Sequence, residues 1–222
     1  MGKTEKSDGS IGIIGGSDGP TAVFFGGKKK RTIKQNIQKY SYEQRKKRML
    51  RRIKPGTHTM EEVVRMLCDR YGFREIPKDD GRYIEANDNM RFSALMQHAP
   101  ELLGELANPP ELKSADEEGF RELQAQWEIR QQKAKEIPEE EFSIDLHLLE
   151  KREDEVEMHF EIEIRFGHIG GGFSGPGKGS SRKRRYEKLF REVYVYYGVT
   201  EEDITGNTKR YQELVRVLAM RH

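Results

Sequence analysis

The sequence predicts an α+β fold with helices in its N-terminal and middle regions and a C-terminal β-hairpin packed by two helices, a ββαα unit. Apolar residues recur at helical spacing between residues 33 and 137, and this spacing predicts the helices of the N-terminal and middle regions. From Phe142 the apolar residues alternate strictly with polar ones, as is typical of strands. Hydrophobic residues make up 34% of the 222 residues and charged residues 35%, so we expect a small, local core.

Charge and glycine content divide the chain into three predicted segments. Residues 1–27 form a glycine-rich leader, residues 28–110 a basic helical region, and residues 111–222 an acidic helix followed by the hairpin and the closing helices. Thirteen Lys and Arg residues face one acid between residues 28 and 54, and residues 111–163 have a net charge of −11. The overall charge of +2 therefore hides opposed patches that could bind each other or a partner.

Two helices are predicted in the basic region. The basic block is expected to be helical from Ile33, because its apolar residues repeat at helical spacing, and Pro55 ends it. A capping box formed by Thr59 and Glu62 opens the next helix, and Gly72 ends it.

The middle of the chain is predicted to be less regular. Residues 75–89 are expected to be a turn-rich linker with a short strand at Tyr83-Ile84, and two short helices follow as far as residue 107. A second capping box, formed by Ser114 and Glu117, opens an acidic helix that Pro138 closes.

The predicted hairpin has its turn near Arg152-Glu153, with even residues opposite even residues so that both apolar rows share one face. A loop follows in which residues 167–181 contain seven glycines. An amphipathic helix that stops at Gly198 and a final helix complete the chain.

This register would gather a candidate metal or acid/base set on the polar face of the hairpin. His147 would face His159, and Asp145 would face Glu161. Two imidazoles and two carboxylates suit a first-row metal ion or an acid/base pair. The alternative is an ordinary polar sheet face, because a small change of register would separate the pairs.

Two basic clusters suit a phosphate backbone, since each neutralised phosphate releases a counterion. Tyr40 and Tyr42 are interleaved with the first cluster. The alternatives are an anionic lipid surface or a solvated helix that the chain's own acidic block neutralises. The residues predicted to bind nucleic acid or another polyanion are Arg45, Lys46, Lys47, Arg48, Arg51, Arg52, Arg182, Lys183, Arg184 and Arg185.

The segment Ile11–Phe25 reads IGIIGGSDGPTAVFF. It resembles the glycine-rich ion-site motif of the beta subunits of sodium-translocating carboxylic-acid decarboxylases. The resemblance places Asp18 in a sodium pathway, with the Thr21 hydroxyl as a further oxygen ligand for the small cation. Because it covers fifteen residues, it implies an accessory or vestigial component of a decarboxylase complex rather than a pump subunit. The alternative is a glycine-rich leader that carries no site.

Other sequence features point away from catalysis. Residues 172–180 nearly fit a P-loop, but Gly179 stands where a Ser or Thr would bind magnesium. Cys68 is the only cysteine and is expected to be a small buried hydrophobe, which fits a cytoplasmic location. We find no run of about 20 apolar residues that would span a bilayer. The sequence therefore predicts a soluble, non-catalytic binding or adaptor protein without a cofactor, apart from the sodium ion that the motif implies.

Overall fold

The computed structural model describes residues 10–13, 23–26, 33–112, 114, 116–153, 156–174 and 181–219. These residues mix helices and strands, which confirms the predicted α+β class. The α-helices are α1 (Ile33–Leu50), α2 (Met60–Tyr71), α3 (Gly81–His98), α4 (Glu117–Glu136), α5 (Ser181–Tyr197), α6 (Glu201–Thr205) and α7 (Lys209–Ala219), and a 3₁₀ helix covers Pro100–Leu106. The strands are β1 (Ser10–Ile13), β2 (Val23–Gly26), β3 (Gly56–Thr57), β4 (Arg74–Glu75), β5 (Leu146–Glu153), β6 (Val156–Glu163), β7 (His168–Ser174) and β8 (Gly198–Val199).

Within the described residues, these strands form three sheets. β1 pairs with β2, and β3 pairs with β8, both antiparallel. The third sheet has the strand order β4-β5-β6-β7, with Glu75 opposite Leu149 in the antiparallel pair β4-β5. None of the helices in the described ranges combines the length and the apolar character needed to cross a bilayer.

The chain divides into two compact units. Unit 1 contains Met1–Gly72, Arg152–Met158 and Gly171–His222, and unit 2 contains Phe73–Lys151 and His159–Gly170. The units differ from the three linear segments that charge predicts, because the chain leaves unit 1 after α2 and returns to it twice. Charge varies along the sequence, whereas packing joins residues that are distant in it.

In unit 1, α2 is the helix that the sequence predicts best. The Thr59 hydroxyl accepts a hydrogen bond from the Glu62 amide at 3.2 Å, and the Glu62 carboxylate accepts one from the Thr59 amide at 2.9 Å. Gly72 ends the helix in the left-handed conformation, with a φ of 71°. The capping box and the glycine stop are therefore confirmed. The buried face of α2 consists of Met60, Val63, Val64 and Leu67, and Cys68 beside it is half-buried.

The closing helices have partners that the ββαα prediction did not include. α7 packs against α1 and α5, and α5 also packs against α2, all within unit 1. The buried residues of α7 are Tyr211, Leu214, Val215, Val217 and Ala219. α1, α2, α5 and α7 thus form a helical assembly in which the two closing helices meet the N-terminal ones.

In unit 2, the predicted linker is wrong, because residues 81–98 form the helix α3. The Asp80 carboxylate caps it by accepting a hydrogen bond from the Arg82 amide at 2.9 Å. Tyr83, predicted to be in a short strand, is buried, and its hydroxyl donates to the Leu146 carbonyl at 3.1 Å. Tertiary packing on β5 therefore overrides the local turn signals. Ile76, Tyr83, Leu146 and Leu148 form one core cluster of this unit.

The start of α4 and the glycine-rich segment also differ from prediction. Asp116, rather than Ser114, caps α4, and its carboxylate accepts a hydrogen bond from the Gly119 amide at 2.8 Å. The predicted loop is wrong over residues 168–174, which form β7 beside β6. A Cβ at Gly170 would lie 2.9 Å from the His168 ring and 3.3 Å from a Glu161 oxygen, so the glycine makes room for these side chains.

Candidate polyanion interface

The first predicted cluster lies at the C-terminal end of α1. Lys47 and Arg48 are in the last turn of the helix, and Arg51 and Arg52 follow it directly. The Arg52 amide continues the turn by donating to the Met49 carbonyl at 2.8 Å. The negative end of the helix dipole favours cations here, so local stability and a concentration of positive charge are compatible.

Solvent exposure separates the six predicted residues of the first cluster into two groups. Lys47, Arg48, Arg51 and Arg52 are exposed, and we refer to these four as the basic tip. Arg45 and Lys46 are half-buried, and Nε of Arg45 is shielded from solvent without a hydrogen-bond partner among the described residues. All six were predicted to bind a polyanion, whereas in the structure only four of them are exposed to solvent.

The basic tip has no ionic partner in the part of the chain that the structure describes. In the described ranges, no carboxylate lies within salt-bridge distance of the four cations of the basic tip. This holds also for the carboxylate of Glu43, which is on the same helix. Neutralisation by the acidic block, the alternative that the sequence left open, is therefore not seen for these residues. Each of these charges is available to an external anion without the loss of an existing ion pair.

The second predicted cluster, at the start of α5, is partly neutralised. Arg182 and Lys183 lie in the first turn of α5, and Arg184 is exposed. Arg185 donates a hydrogen bond to the Glu153 carboxylate at 2.8 Å. A polyanion would have to replace this pair, so Arg185 is a weaker candidate than the basic tip.

The hairpin residues do not come together as the predicted set of four metal ligands. The His147 ring contacts a partner that the sequence did not suggest, with Nδ1 2.6 Å from an oxygen of Glu75 on β4, and its Nε2 is 3.9 Å from Asp145. The main-chain oxygen of Asp145 accepts a hydrogen bond from the Ile164 amide at 2.9 Å, so Asp145 lies across from Ile164 rather than Glu161.

An odd-numbered residue, Asp145, thus lies opposite an even-numbered one, Ile164. The predicted register, with even-numbered residues opposite even-numbered ones, is wrong at this pair. The strands end at Glu153 and begin again at Val156, so the turn is displaced from the predicted centre. Within the strands, the pairing of His147 with His159 stays a prediction. Across the described ranges, no three His, Cys, Asp or Glu side chains are arranged to hold a metal ion.

Two glycine-rich candidates lie wholly or partly outside the described residues. Asp18 and Thr21 belong to the undescribed stretch between β1 and β2, so the sodium site implied by the motif stays a prediction. In the P-loop candidate, residues 172–174 belong to β7, and residues 175–180 are not described.

Two other arginines, Arg91 and Arg130, use their guanidinium groups to bind main-chain carbonyls within unit 2. Arg91 donates hydrogen bonds to the carbonyls of Ala134, Ile137 and Phe142 at 2.5–3.1 Å and so ties the end of α4 to the following loop. Arg130, 8% exposed, donates to the main-chain carbonyls of Leu106, Asn108 and Gln126. Their guanidinium groups are satisfied internally, in contrast to the basic tip.

Unit 2 also contains a polar cavity of about 440 Å³. Arg91 lines it, but its guanidinium is already bound to the carbonyls described above. Asp88, also in the lining, pairs with Lys135 at 2.7 Å. Two charged groups of the lining, Arg91 and Asp88, are therefore already bound to other groups of unit 2.

Comparisons with protein-family models, with curated proteins and with solved structures find no match for this chain.

Proposed function

We propose that this protein is a non-catalytic binding or adaptor protein whose basic tip binds nucleic acid. The observation that carries the proposal is the presence of four exposed cations within six residues, none of them paired with a described acidic group. A cytoplasmic location, where nucleic acid is accessible, is part of the same proposal.

The free energy of such binding comes largely from counterion release. A polyphosphate carries condensed counterions, and each phosphate that a Lys or Arg neutralises returns counterions to solution. An internal ion pair reduces this gain, because its carboxylate competes with the phosphate. The unpaired basic tip avoids that competition, whereas Arg185 must first leave Glu153.

The first experiment reverses the charge of the basic tip. In a variant with Lys47, Arg48, Arg51 and Arg52 all changed to Glu, we expect affinity for a fluorescein-labelled 20-nucleotide oligothymidylate to fall at least about tenfold at 100 mM salt. Fluorescence anisotropy measures the affinity. Arg45 and Lys46 are left unchanged, because their half-buried positions would confuse a loss of binding with a loss of folding.

A matched control separates the site from the overall charge. A second variant changes four exposed cations elsewhere, Arg65, Arg74, Lys78 and Lys209, to Glu and so alters the net charge by the same amount. This control is expected to keep most of the wild-type affinity. Equal losses in the two variants, or no binding by the wild-type protein at 50 mM salt, would contradict the proposal.

A further inference from the structure

Tyr40 is an exposed aromatic residue on the same helix as the basic tip. Its exposed fraction is 68%, the highest among the large hydrophobic residues for which exposure is described. Its ring and hydroxyl make no contact of the aromatic, cation–π or hydrogen-bond kind with any described residue. An aromatic ring that the fold leaves in solvent is available to a ligand.

Helix geometry places Tyr40 on the side of α1 that leads to the basic tip. Lys47 lies seven residues further on, which is about 10 Å along the axis and about 20° around it. Both residues are exposed. A ligand lying along this side of α1 would therefore meet the ring and the ammonium group together.

The other interleaved tyrosine does not share this position. Tyr42 lies about 160° around the axis from Tyr40, on the side that also carries Met49. Both Tyr42 and Met49 are half-buried. Both tyrosines were predicted to accompany the first basic cluster, and the structure distinguishes an exposed ring from a partly packed one.

We infer that the basic tip takes single-stranded nucleic acid, with a base stacked on Tyr40 and the following phosphates held by the tip. This inference rests on the proposed function and adds the class of ligand. Base–aromatic stacking needs an open base face, which a single strand offers and a paired duplex hides. Acidic polypeptides and sulfated polysaccharides provide the charge without the planar base.

The test compares three variants on three probes. Tyr40→Ala removes the ring, Tyr40→Phe keeps it, and Leu50→Ala shortens another exposed apolar side chain of α1 as a control. The probes are labelled oligothymidylate of 20 nucleotides, a 20-base-pair duplex and heparin. Far-UV circular dichroism of each variant checks that the helices are retained.

We expect Tyr40→Ala to lower affinity for the oligothymidylate about tenfold, as the loss of one stacked base predicts. Affinity for the duplex and for heparin is expected to stay within about twofold of the wild type, since phosphate and sulfate contacts are retained. Tyr40→Phe and Leu50→Ala are expected to bind all three probes like the wild type.

Three outcomes would overturn the inference. They are unchanged oligothymidylate binding by Tyr40→Ala, an equal loss on heparin, and tighter wild-type binding to the duplex than to the single strand. If charge reversal abolishes binding while Tyr40→Ala has no effect, the inference fails and the proposed function stands. If the wild type binds none of the probes, both fail.

Discussion

Replacing Gly198 with alanine is expected to lower the free energy of unfolding of unit 1 by about 4 kcal/mol. Gly198 has a φ of 61°, in the left-handed region that disfavours residues with a Cβ. A Cβ at this position would also collide with the main-chain oxygen of Gly56 on the paired strand β3. Both effects act on the backbone, so a side-chain rotation cannot relieve them.

The surroundings of Gly198 keep the two strands from separating. The Arg210 guanidinium donates to the Gly198 carbonyl at 2.9 Å and to the Tyr197 carbonyl at 2.7 Å, and it also bonds to the Thr57 hydroxyl. The same guanidinium lies 3.7 Å from the centre of the Tyr197 ring. These contacts join β3, β8 and α7, and moving the strands apart to admit a methyl group would weaken them.

Urea denaturation followed by circular dichroism measures this effect. The matched control is Gly56→Ala, because no atom lies within 4 Å of the Cβ position at Gly56 and its φ is not in the left-handed region. The control is expected to change the unfolding free energy by less than about 1 kcal/mol. Similar losses for the two substitutions would show that the close approach at Gly198 does not matter.

Replacing Glu163 with alanine is expected to lower the free energy of unfolding of unit 2 by about 4 kcal/mol. This carboxylate is 1% exposed and accepts three hydrogen bonds, from the amides of Asp145 at 3.1 Å, Arg165 at 3.0 Å and Phe166 at 2.7 Å. Alanine would leave these three amides without their acceptor and create a cavity beside the turn at residues 164–167. The measurement is again denaturant unfolding.

Glu163→Gln provides the matched comparison at the same position. The amide keeps one acceptor oxygen and places an NH₂ group where the second oxygen accepted a bond, so an intermediate loss of about 2 kcal/mol is expected. A change of less than about 0.5 kcal/mol for Glu163→Ala would mean that the carboxylate does not stabilise the turn at residues 164–167.

The parts of the fold that the sequence predicts correctly are those specified by local contacts. The start and end of α2 are set by Thr59, Glu62 and Gly72, all within the helix or next to it. α3 was missed because its support is distant, with Tyr83 bonded to a carbonyl 63 residues further along the chain. β7 was missed because a glycine-rich sequence is typical of a flexible loop. Its pairing with the neighbouring strand β6 is a tertiary contact that the local sequence does not show.

The candidate site shows the same division between local and tertiary information. Sequence alone finds the charge of α1 and α5, since charge is a property of each residue. It does not show that Arg185 is paired with Glu153, a contact between residues 32 positions apart. The distinction between Tyr40 and Tyr42 could have been expected from helical phase, because the spacing from Lys47 was already visible in the sequence.

The salt dependence of oligothymidylate binding shows directly whether the basic tip contacts phosphates. If the basic tip neutralises four phosphates, the slope of log K against log salt concentration should be less steep by about 2.8 in the charge-reversed tip variant than in the wild type, at about 0.7 per contact. The control variant with Arg65, Arg74, Lys78 and Lys209 reversed should keep the wild-type slope. Identical slopes for the wild type and the tip variant would show that the basic tip does not contact the phosphates.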